Sequence, residues 1–161
     1  MKTLLLPLLL ASGLLLAGCG KKDEASSAPA AAGNGPLTYE LTAGDAMKYN
    51  LNRMEAKPGQ EIKVILTNIG TMPKVAMGHN FILLQKGVDP KAFADAAAAS
   101  AATEYFPASM ADKVIAHTKL LGPKQSDEIT FKAPTEPGEY NFLCSFPAHF
   151  LTGMKGVLVV Q

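Results

Sequence analysis

Hydrophobic and polar residues alternate in several short segments after Pro36. Apolar side chains occupy every second position over residues 37–41, 62–66 and 129–131, which is the period of a β-strand with one buried face. Proline and glycine in "KPGQ" and "TEPGEY" supply turns between such segments, and "EYNFLC" and "GVLVV" predict two further strands near the C-terminus. Many short strands joined by turns predict an all-β domain, a Greek-key sandwich or barrel.

One segment departs from this two-residue period. The stretch "DPKAFADAAAASAATEYF" is rich in alanine, which has the highest intrinsic helix propensity. It opens with Asp89, a suitable helix cap, and Pro90, which suits the first helical position. The sequence therefore predicts one short helical insertion, lying as a flap over the β-domain.

The N-terminal part of the chain has a different character. Residues 1–18 combine an early lysine, an apolar run and small residues, the pattern of an export signal, and the run is shorter than the ~20 residues of a membrane span. The ending "LLAGC" resembles the bacterial lipobox, which implies cleavage before Cys19 and acylation of that cysteine. Residues 19–36 lack apolar periodicity and are typical of a flexible tether. We expect a domain at 37–161 that is lipid-anchored to the cell envelope on its extracytoplasmic or periplasmic side, at the outer membrane in a Gram-negative cell.

Charge and cysteine content limit the possible partners. The chain has 15 basic and 14 acidic residues, and removal of the signal with Lys2 leaves 14 of each. A domain without net charge lacks the basic surface that nucleic-acid recognition requires. With Cys19 acylated, only Cys144 remains, so an oxidising compartment offers no second cysteine for an internal disulfide. We expect a monomer that binds no nucleic acid.

The stretch "CSFPAHFLTGM" carries three candidate donors for a soft metal: Cys144, His149 and Met154. His79 in "AMGHNF" lies 65 positions before the cysteine and can join them only if the fold brings two loops together. Loops from non-adjacent strands do meet at one end of a β-sandwich. Two imidazoles, one thiolate and a distant thioether are the donors of blue copper electron-transfer sites. The sequence therefore predicts a copper centre.

Each of these residues also has a plainer interpretation. Cys144 and Met154 are compatible with ordinary core packing, and His79 with a turn or core position. Their combination, rather than any one of them, favours ligands. His117 in "IAHTK" is expected at the surface and away from the metal. Zinc accepts the same nitrogen and thiolate donors, so the donor types alone leave the metal open.

From about Leu37 to its end the chain resembles azurin and its relatives in the cupredoxin family. The matching stretches are "AMGHNF", "VIAHTKLLG", and "CSFPAH" followed by "MKG". The resemblance implies a cupredoxin fold and one copper ion per chain, cycling between Cu(I) and Cu(II). It implies two histidines, a cysteine, an axial methionine and a weakly bound backbone carbonyl as ligands: His79, His149, Cys144, Met154 and Gly78.

The same resemblance assigns roles around the ligands. Asn80 would hydrogen-bond the loop that carries the cysteine, and Phe146 would lie in the layer of side chains behind the ligands. His149 would be the electron port, inside an exposed apolar patch where redox proteins such as cytochromes or membrane electron-transfer complexes dock transiently. The other members of this patch would be Met47, Met72, Met77, Pro147, Ala148 and Phe150. The three methionines are equally compatible with core packing.

The sequence departs from azurins in three ways. Phe150–Gly153 places one residue more than in azurins between His149 and Met154, a spacing similar to that of auracyanins. The disulfide of azurins is missing, and Phe81 stands where azurins usually carry tryptophan. The longer spacing affects the axial ligand most directly, and with it the reduction potential.

The predicted function is one-electron transport without bond-making chemistry, so we do not expect an enzyme. A copper chaperone or copper storage protein is the alternative, but such a protein would be expected to use an open, exchangeable site. A third class would use Cys144 and His149 as nucleophile and base, yet a cysteine at the end of an apolar strand is poorly placed for attack. With three histidines in the chain, only His117 would remain for a second, catalytic copper site.

Overall fold

The computed structural model of the protein describes residues 36–161. The predicted export signal, Cys19 and nearly all of the predicted tether lie outside the described residues, so the domain boundaries in that region stay predictions. Within the described part, no helix is long and apolar enough to cross a membrane.

Across residues 36–161, eight strands form two sheets, as the alternating pattern predicts for an all-β domain. The strands are β1 Leu37–Ala43, β2 Arg53–Ala56, β3 Glu61–Asn68, β4 Ile82–Leu84, β5 Val114–His117, β6 Ser126–Lys132, β7 Gly138–Leu143 and β8 Lys155–Val160. The first sheet has the order β1-β3-β6, with β1 parallel to β3 and β3 antiparallel to β6. The second has the order β2-β8-β7-β4-β5, in which only the β2-β8 pair is parallel.

The main core lies between the two sheets. Alternate residues of β1 and β3 point into it, and burying each large aliphatic side chain stabilises the fold by about 1.5–3 kcal/mol. Ile129 and Phe131 of β6, an edge strand, are only half-buried. The opposite sheet contributes Phe142, and Cys144 follows at the end of the same buried face.

The helical insertion lies between β4 and β5 and occupies residues 90–113, so it extends beyond the predicted stretch, which ends at Phe106. It comprises an α-helix, Pro90–Ala98, and two 3-10 segments, Ala101–Thr103 and Ala108–Lys113. The Asp89 carboxylate accepts a hydrogen bond of 2.8 Å from the Lys91 amide and so caps the α-helix. This helix is α2, because a four-residue helix that the sequence analysis did not predict, α1 at Lys74–Met77, precedes it.

The insertion covers a second core on the outer face of the larger sheet. Strand β4 is buried on both faces, with Leu83 in the main core and its two neighbours under the insertion. We call this group the second core: Ile82, Leu84, Phe93, Ala97, Leu143 and Phe150. The insertion is therefore packed structure, with its own buried contacts on the sheet.

Replacing Phe93 with alanine tests how much the second core contributes to stability. The Phe93 ring is 0% exposed, so Phe93→Ala should lower the free energy of unfolding by about 3–5 kcal/mol. Urea denaturation measures this loss. The control is Val75→Ala on α1, where the side chain is 86% exposed and the change should stay within about 0.5 kcal/mol. Equal effects of the two substitutions would contradict the second core as described.

Candidate metal centre

The pairing of β4 with β7 brings the two candidate ligand segments together. The strands are antiparallel, with Ile82 opposite Leu143. The residues just before β4 therefore lie beside the residues just after β7. His79 is held on its other side by two backbone hydrogen bonds with Leu121, of 3.1 and 2.8 Å. This is the meeting of distant loops that the sequence analysis required.

Three of the predicted ligands form one buried cluster. One donor atom each from His79, Cys144 and His149 lies within 4.8 Å of the other two. The Cys144 Sγ is 3.4 Å from the His149 Nδ1, and the two imidazole rings are 4.9 Å apart between centroids. All three side chains are at most 2% exposed. The arrangement is a closed site with two nitrogen donors and one sulfur donor.

The electrostatics of this cluster suit a metal cation. Burial lowers the pKa of His149 to about 4, with the charge of His79 acting in the same direction. Burial also lowers the pKa of His79, against the opposing effects of the Asp45 carboxylate and the Gly44 carbonyl. Both imidazoles are therefore neutral at pH 7 and keep a lone pair for a ligand bond.

Two features of the cluster remain unsatisfied by protein atoms. Burial raises the pKa of the Cys144 thiol to about 12, so the metal-free site holds a proton on sulfur. Among the described residues, neither buried ring nitrogen of His79 has a hydrogen-bond partner of ordinary geometry, although the Gly44 carbonyl lies close enough to favour a proton on the ring. Such unpaired buried nitrogens are costly unless something binds them. A thiophilic cation fits both features, because it would take the lone pair of one His79 nitrogen and displace the thiol proton.

Gly78 and Met154 stand close to the cluster. The Gly78 carbonyl oxygen lies 4.0 Å from the Cys144 Sγ. A Cβ at Gly78 would come within 2.9 Å of the Leu120 side chain and of the Lys74 carbonyl, so this close approach requires glycine. Met154 is fully buried and belongs to the main core together with Cys144. Its position is compatible with the predicted axial role and with core packing alike.

The longer spacing between His149 and Met154 is absorbed by one helical turn. The Met154 amide donates to the His149 carbonyl at 2.9 Å, and the Gly153 amide to the Phe150 carbonyl at 3.1 Å. Gly153 has φ +98°, so the turn closes in the way that ends many α-helices with a glycine. The extra residue thus completes a regular turn between the two candidate ligands, and "FLTG" is the sequence signal for it.

A lysine from the other end of the chain caps this turn. The Lys48 ammonium group donates to the Thr152 carbonyl at 2.6 Å. That carbonyl belongs to the end of a helical turn, where backbone acceptors lack partners and cations are favoured. Sequence reasoning missed Lys48, because nothing in the local pattern pairs it with a residue more than a hundred positions away.

Asn80 connects the two ligand segments. Its Nδ2 donates to the Ser145 hydroxyl at 2.8 Å, and its Oδ1 accepts from the Ser145 amide at 2.9 Å. The Tyr49 hydroxyl in turn donates to the Asn80 carbonyl. Both Asn80 and Ser145 are buried, so the two bonds are shielded from water and hold the segments in register. Ser145 and Tyr49 were not singled out from the sequence.

The residues predicted for a docking patch fall into two groups. Met72 is 41% exposed, Ala148 is exposed, and Met47, Met77 and Pro147 are half-buried.

The prediction that Phe150 belongs to the exposed patch is wrong. Phe150 is 7% exposed, because its ring packs into the second core. Phe146 and the proposed port His149 are also buried, at 8% and 2% exposure. The structure adds exposed apolar side chains that were not predicted: Ile69, Val75 and Leu151.

His117 lies outside the cluster. It is exposed, as predicted, and is the last residue of β5. Its ring packs on Phe106 with 4.5 Å between centroids. Phe81, at the position where azurins usually carry tryptophan, is fully buried against Phe142 at 5.2 Å.

Comparisons with known proteins agree with this fold and site. The family model of copper-binding proteins of the plastocyanin/azurin family matches residues 37–161. Azurin from Achromobacter denitrificans is 40% identical over 138 residues, which is 84% of this chain and 90% of that protein. Outer membrane protein H.8 from Neisseria meningitidis serogroup B is 37% identical over 120 residues, 73% of this chain and 63% of that protein. The solved structure of auracyanin from Roseiflexus castenholzii superposes with a TM-score of 0.67 at 38% identity, covering 79% of this chain and 99% of that one.

Two sheets with a buried cluster of two histidines and a cysteine at one end define a blue copper protein of cupredoxin fold. The chain belongs to the plastocyanin/azurin family of copper-binding proteins. Its cofactor is copper, and it is a blue copper electron carrier.

Gly153→Ala tests whether the helical turn positions Met154. A left-handed backbone costs a residue with a Cβ about 1–2 kcal/mol, and this Cβ would also lie 2.7 Å from the Lys48 ammonium nitrogen. We expect lower stability in urea together with a changed visible spectrum of the copper(II) protein. The matched control is Gly87→Ala, which has φ +78° and open space around the new Cβ, and should lose stability alone. An unchanged spectrum in Gly153→Ala would show that the turn does not determine the position of Met154 at the copper site.

The metal-free protein should become less stable as the pH falls. The unfolded chain binds a proton on His149 near the ordinary pKa of 6.5, whereas the folded chain does so only near 4. Stability is therefore lost progressively from about pH 6.5 to about pH 4, and His79 acts in the same direction. Urea midpoints across this range measure the effect. His149→Gln should give a flatter curve, and a flat wild-type curve would show that burial does not disfavour the charged imidazoles.

Proposed function

We propose that the protein carries single electrons between redox proteins on the outer side of a bacterial membrane, using copper bound by His79, Cys144 and His149. The observation that carries this proposal is the closed cluster of their donor atoms, within 4.8 Å of one another and shielded from water. We infer that the protein performs no bond-making reaction. The buried donor set favours electron transport over a copper chaperone or store, since transfer of a metal needs accessible ligands.

The surrounding residues hold the site in one geometry. When bound, copper supplies exchange between its +1 and +2 states. The Asn80–Ser145 hydrogen bonds and the Cys144 amide, which donates to the Met154 carbonyl at 3.1 Å, fix the cysteine from two sides. Because the frame is tied to two sheets, the donors need to move little between oxidation states. Little movement means a small barrier to electron transfer.

Met154 and Gly78 are proposed as weak axial contacts on opposite sides of the plane of the three donors. The turn that ends at Gly153 places the Met154 backbone, and the close approach at Gly78 places a carbonyl near the sulfur. A long axial bond and the surroundings of the cysteine sulfur are the features that set the potential of such sites. Their effect here depends on how firmly the turn is held.

We propose that partners dock over His149, which is the ligand nearest in sequence to exposed residues of the ligand-bearing loop. Ala148 is exposed and Leu151 is 68% exposed, while Met72 and Val75 offer apolar surface on the segment before His79. Transient redox complexes typically bury less than about 1,200 Å². An apolar surface of limited area permits fast release as well as capture.

We further propose that acylated Cys19 anchors the protein and that residues 19–36 tether the domain. One relative, with 63% of its length matched, is named an outer membrane protein, which supports an envelope location. A tether of this length would place the domain roughly 20–25 Å from the anchor on average. The domain would then reach partners in the same membrane without diffusing away.

Visible absorption of the copper(II) protein, followed during titration with ascorbate, tests the proposed ligands. We expect an intense thiolate-to-copper band that bleaches on reduction and returns on oxidation. Cys144→Ser should abolish the band, because the thiolate is its source. His117→Ala is the matched control and should keep it, since that histidine lies outside the cluster. A colourless wild-type protein that binds copper(I) would overturn the carrier and favour the chaperone.

A further inference from the structure

The helical insertion contacts the loop that carries the candidate ligands, residues 144–154, which we call the ligand loop. Tyr105, near the tip of the insertion, packs edge-on against Phe146 with 4.9 Å between ring centroids. Phe146 packs in turn on the His149 ring at 4.7 Å. A continuous series of aromatic contacts therefore runs from a half-buried tyrosine to a ligand histidine.

The insertion also holds the ligand loop from its other side. Phe150 follows His149 directly and packs in the second core with Phe93 and Ala97 of α2. The phenylalanine that packs on the His149 ring and the one that follows it in sequence thus face different cores, Phe146 the main core and Phe150 the second. Both cores include side chains of the insertion among their members or close neighbours.

The backbone at the tip of the insertion is strained. Glu104 has φ 53° and Tyr105 has φ 61°, two consecutive residues with side chains in the left-handed region that glycine usually occupies. Each such residue costs of order 1–3 kcal/mol and persists only where surrounding contacts enforce it. Here the Tyr105 amide donates to the Ser100 carbonyl at 2.9 Å, and the Thr103 hydroxyl donates to the Phe106 carbonyl at 2.7 Å. In this conformation the tyrosine ring packs against Phe146 of the ligand loop.

The orientation of the His149 ring depends on packing. Among the described residues, the one side-chain hydrogen bond of His149 joins its Nδ1 to the Cys144 sulfur. A metal bound at this site would take both of these atoms as ligands, so this hydrogen bond would be lost. Ligand histidines are commonly oriented by a hydrogen bond from the second ring nitrogen to a carbonyl or carboxylate. No such protein partner is present here within residues 36–161. The faces of Phe146 and His79 are therefore what hold the ring.

We propose that Tyr105 is a positioning residue for the copper centre, which holds the His149 ring in place by packing against Phe146. The inference rests on the proposed role of His149 as a ligand. The insertion is then part of the frame of the metal site rather than a cover over the sheet. The ion pair between Glu104 and Lys74 of α1 joins the same tip to the segment before His79. Both charged side chains of this ion pair are exposed to solvent, so the pair by itself contributes little to stability.

The test compares the full chain, loaded with copper(II), as wild type and with Tyr105→Leu, Tyr105→Phe and Tyr39→Leu. Tyr105→Leu removes the aromatic contact, and Tyr105→Phe keeps it. Tyr39→Leu is the matched control, because it removes a buried tyrosine from β1 that packs in the main core without touching the ligand loop in an aromatic pair. The readouts are the rate of copper loss to excess chelator, the position of the visible band, and the urea midpoint.

We expect Tyr105→Leu to lose copper several-fold faster than wild type and to shift the visible band. Tyr105→Phe should keep the wild-type rate of copper loss and the wild-type band position. Tyr39→Leu should lower the urea midpoint but leave the rate and the band position unchanged. The proposal is overturned if Tyr105→Leu lowers the midpoint alone, as the control does. Tyr105→Met, which keeps side-chain bulk without a ring, repeats the comparison should the leucine variant not fold. A wild-type protein without the band would contradict the proposed function itself, independently of Tyr105.

Discussion

The antiparallel pairing of β4 with β7 is the constraint on which the rest of the site depends. With Ile82 opposite Leu143, the short segment before β4, which carries His79, and Cys144, which follows β7, must lie at the same end of the sheet. Neither His79 nor Cys144 needs any special local structure to meet the other. Strand register, reinforced by the two buried Asn80–Ser145 hydrogen bonds, converts two remote sequence positions into neighbours.

The ligand loop is then fixed by contacts of different kinds on its different sides. Backbone hydrogen bonds tie Cys144 and Met154 to each other, and Asn80 ties the loop to the segment before β4. Phe146 and Phe150 anchor it in two separate cores. Because packed cores deform little, a loop held in both of them has little freedom to follow a preferred metal geometry. The protein frame therefore restricts where the donor atoms can lie.

Much of this could be predicted from the sequence, for identifiable reasons. Alternation in β1 and β3, the capped alanine-rich helix and the conjunction of histidines with Cys144 are local or pairwise signals, and the structure has each of them. The burial of Phe150 could not be predicted in this way, because it depends on a helix more than fifty positions away. The capping of Thr152 by Lys48 has the same cause. Short α1 escaped notice because four residues are too few to show a helical period.

The turn that ends at Gly153 accommodates the longer spacing between His149 and Met154 without leaving the loop irregular. An added residue in a loop usually increases its freedom. In this loop the added residue completes a hydrogen-bonded turn, and a glycine with φ +98° ends it. The Lys48 cap adds a contact from a separate part of the chain. The longer spacing therefore changes the path between His149 and Met154, but hydrogen bonds still define that path. Residues such as Lys48 and Gly153 would then influence the proposed axial contact through the turn.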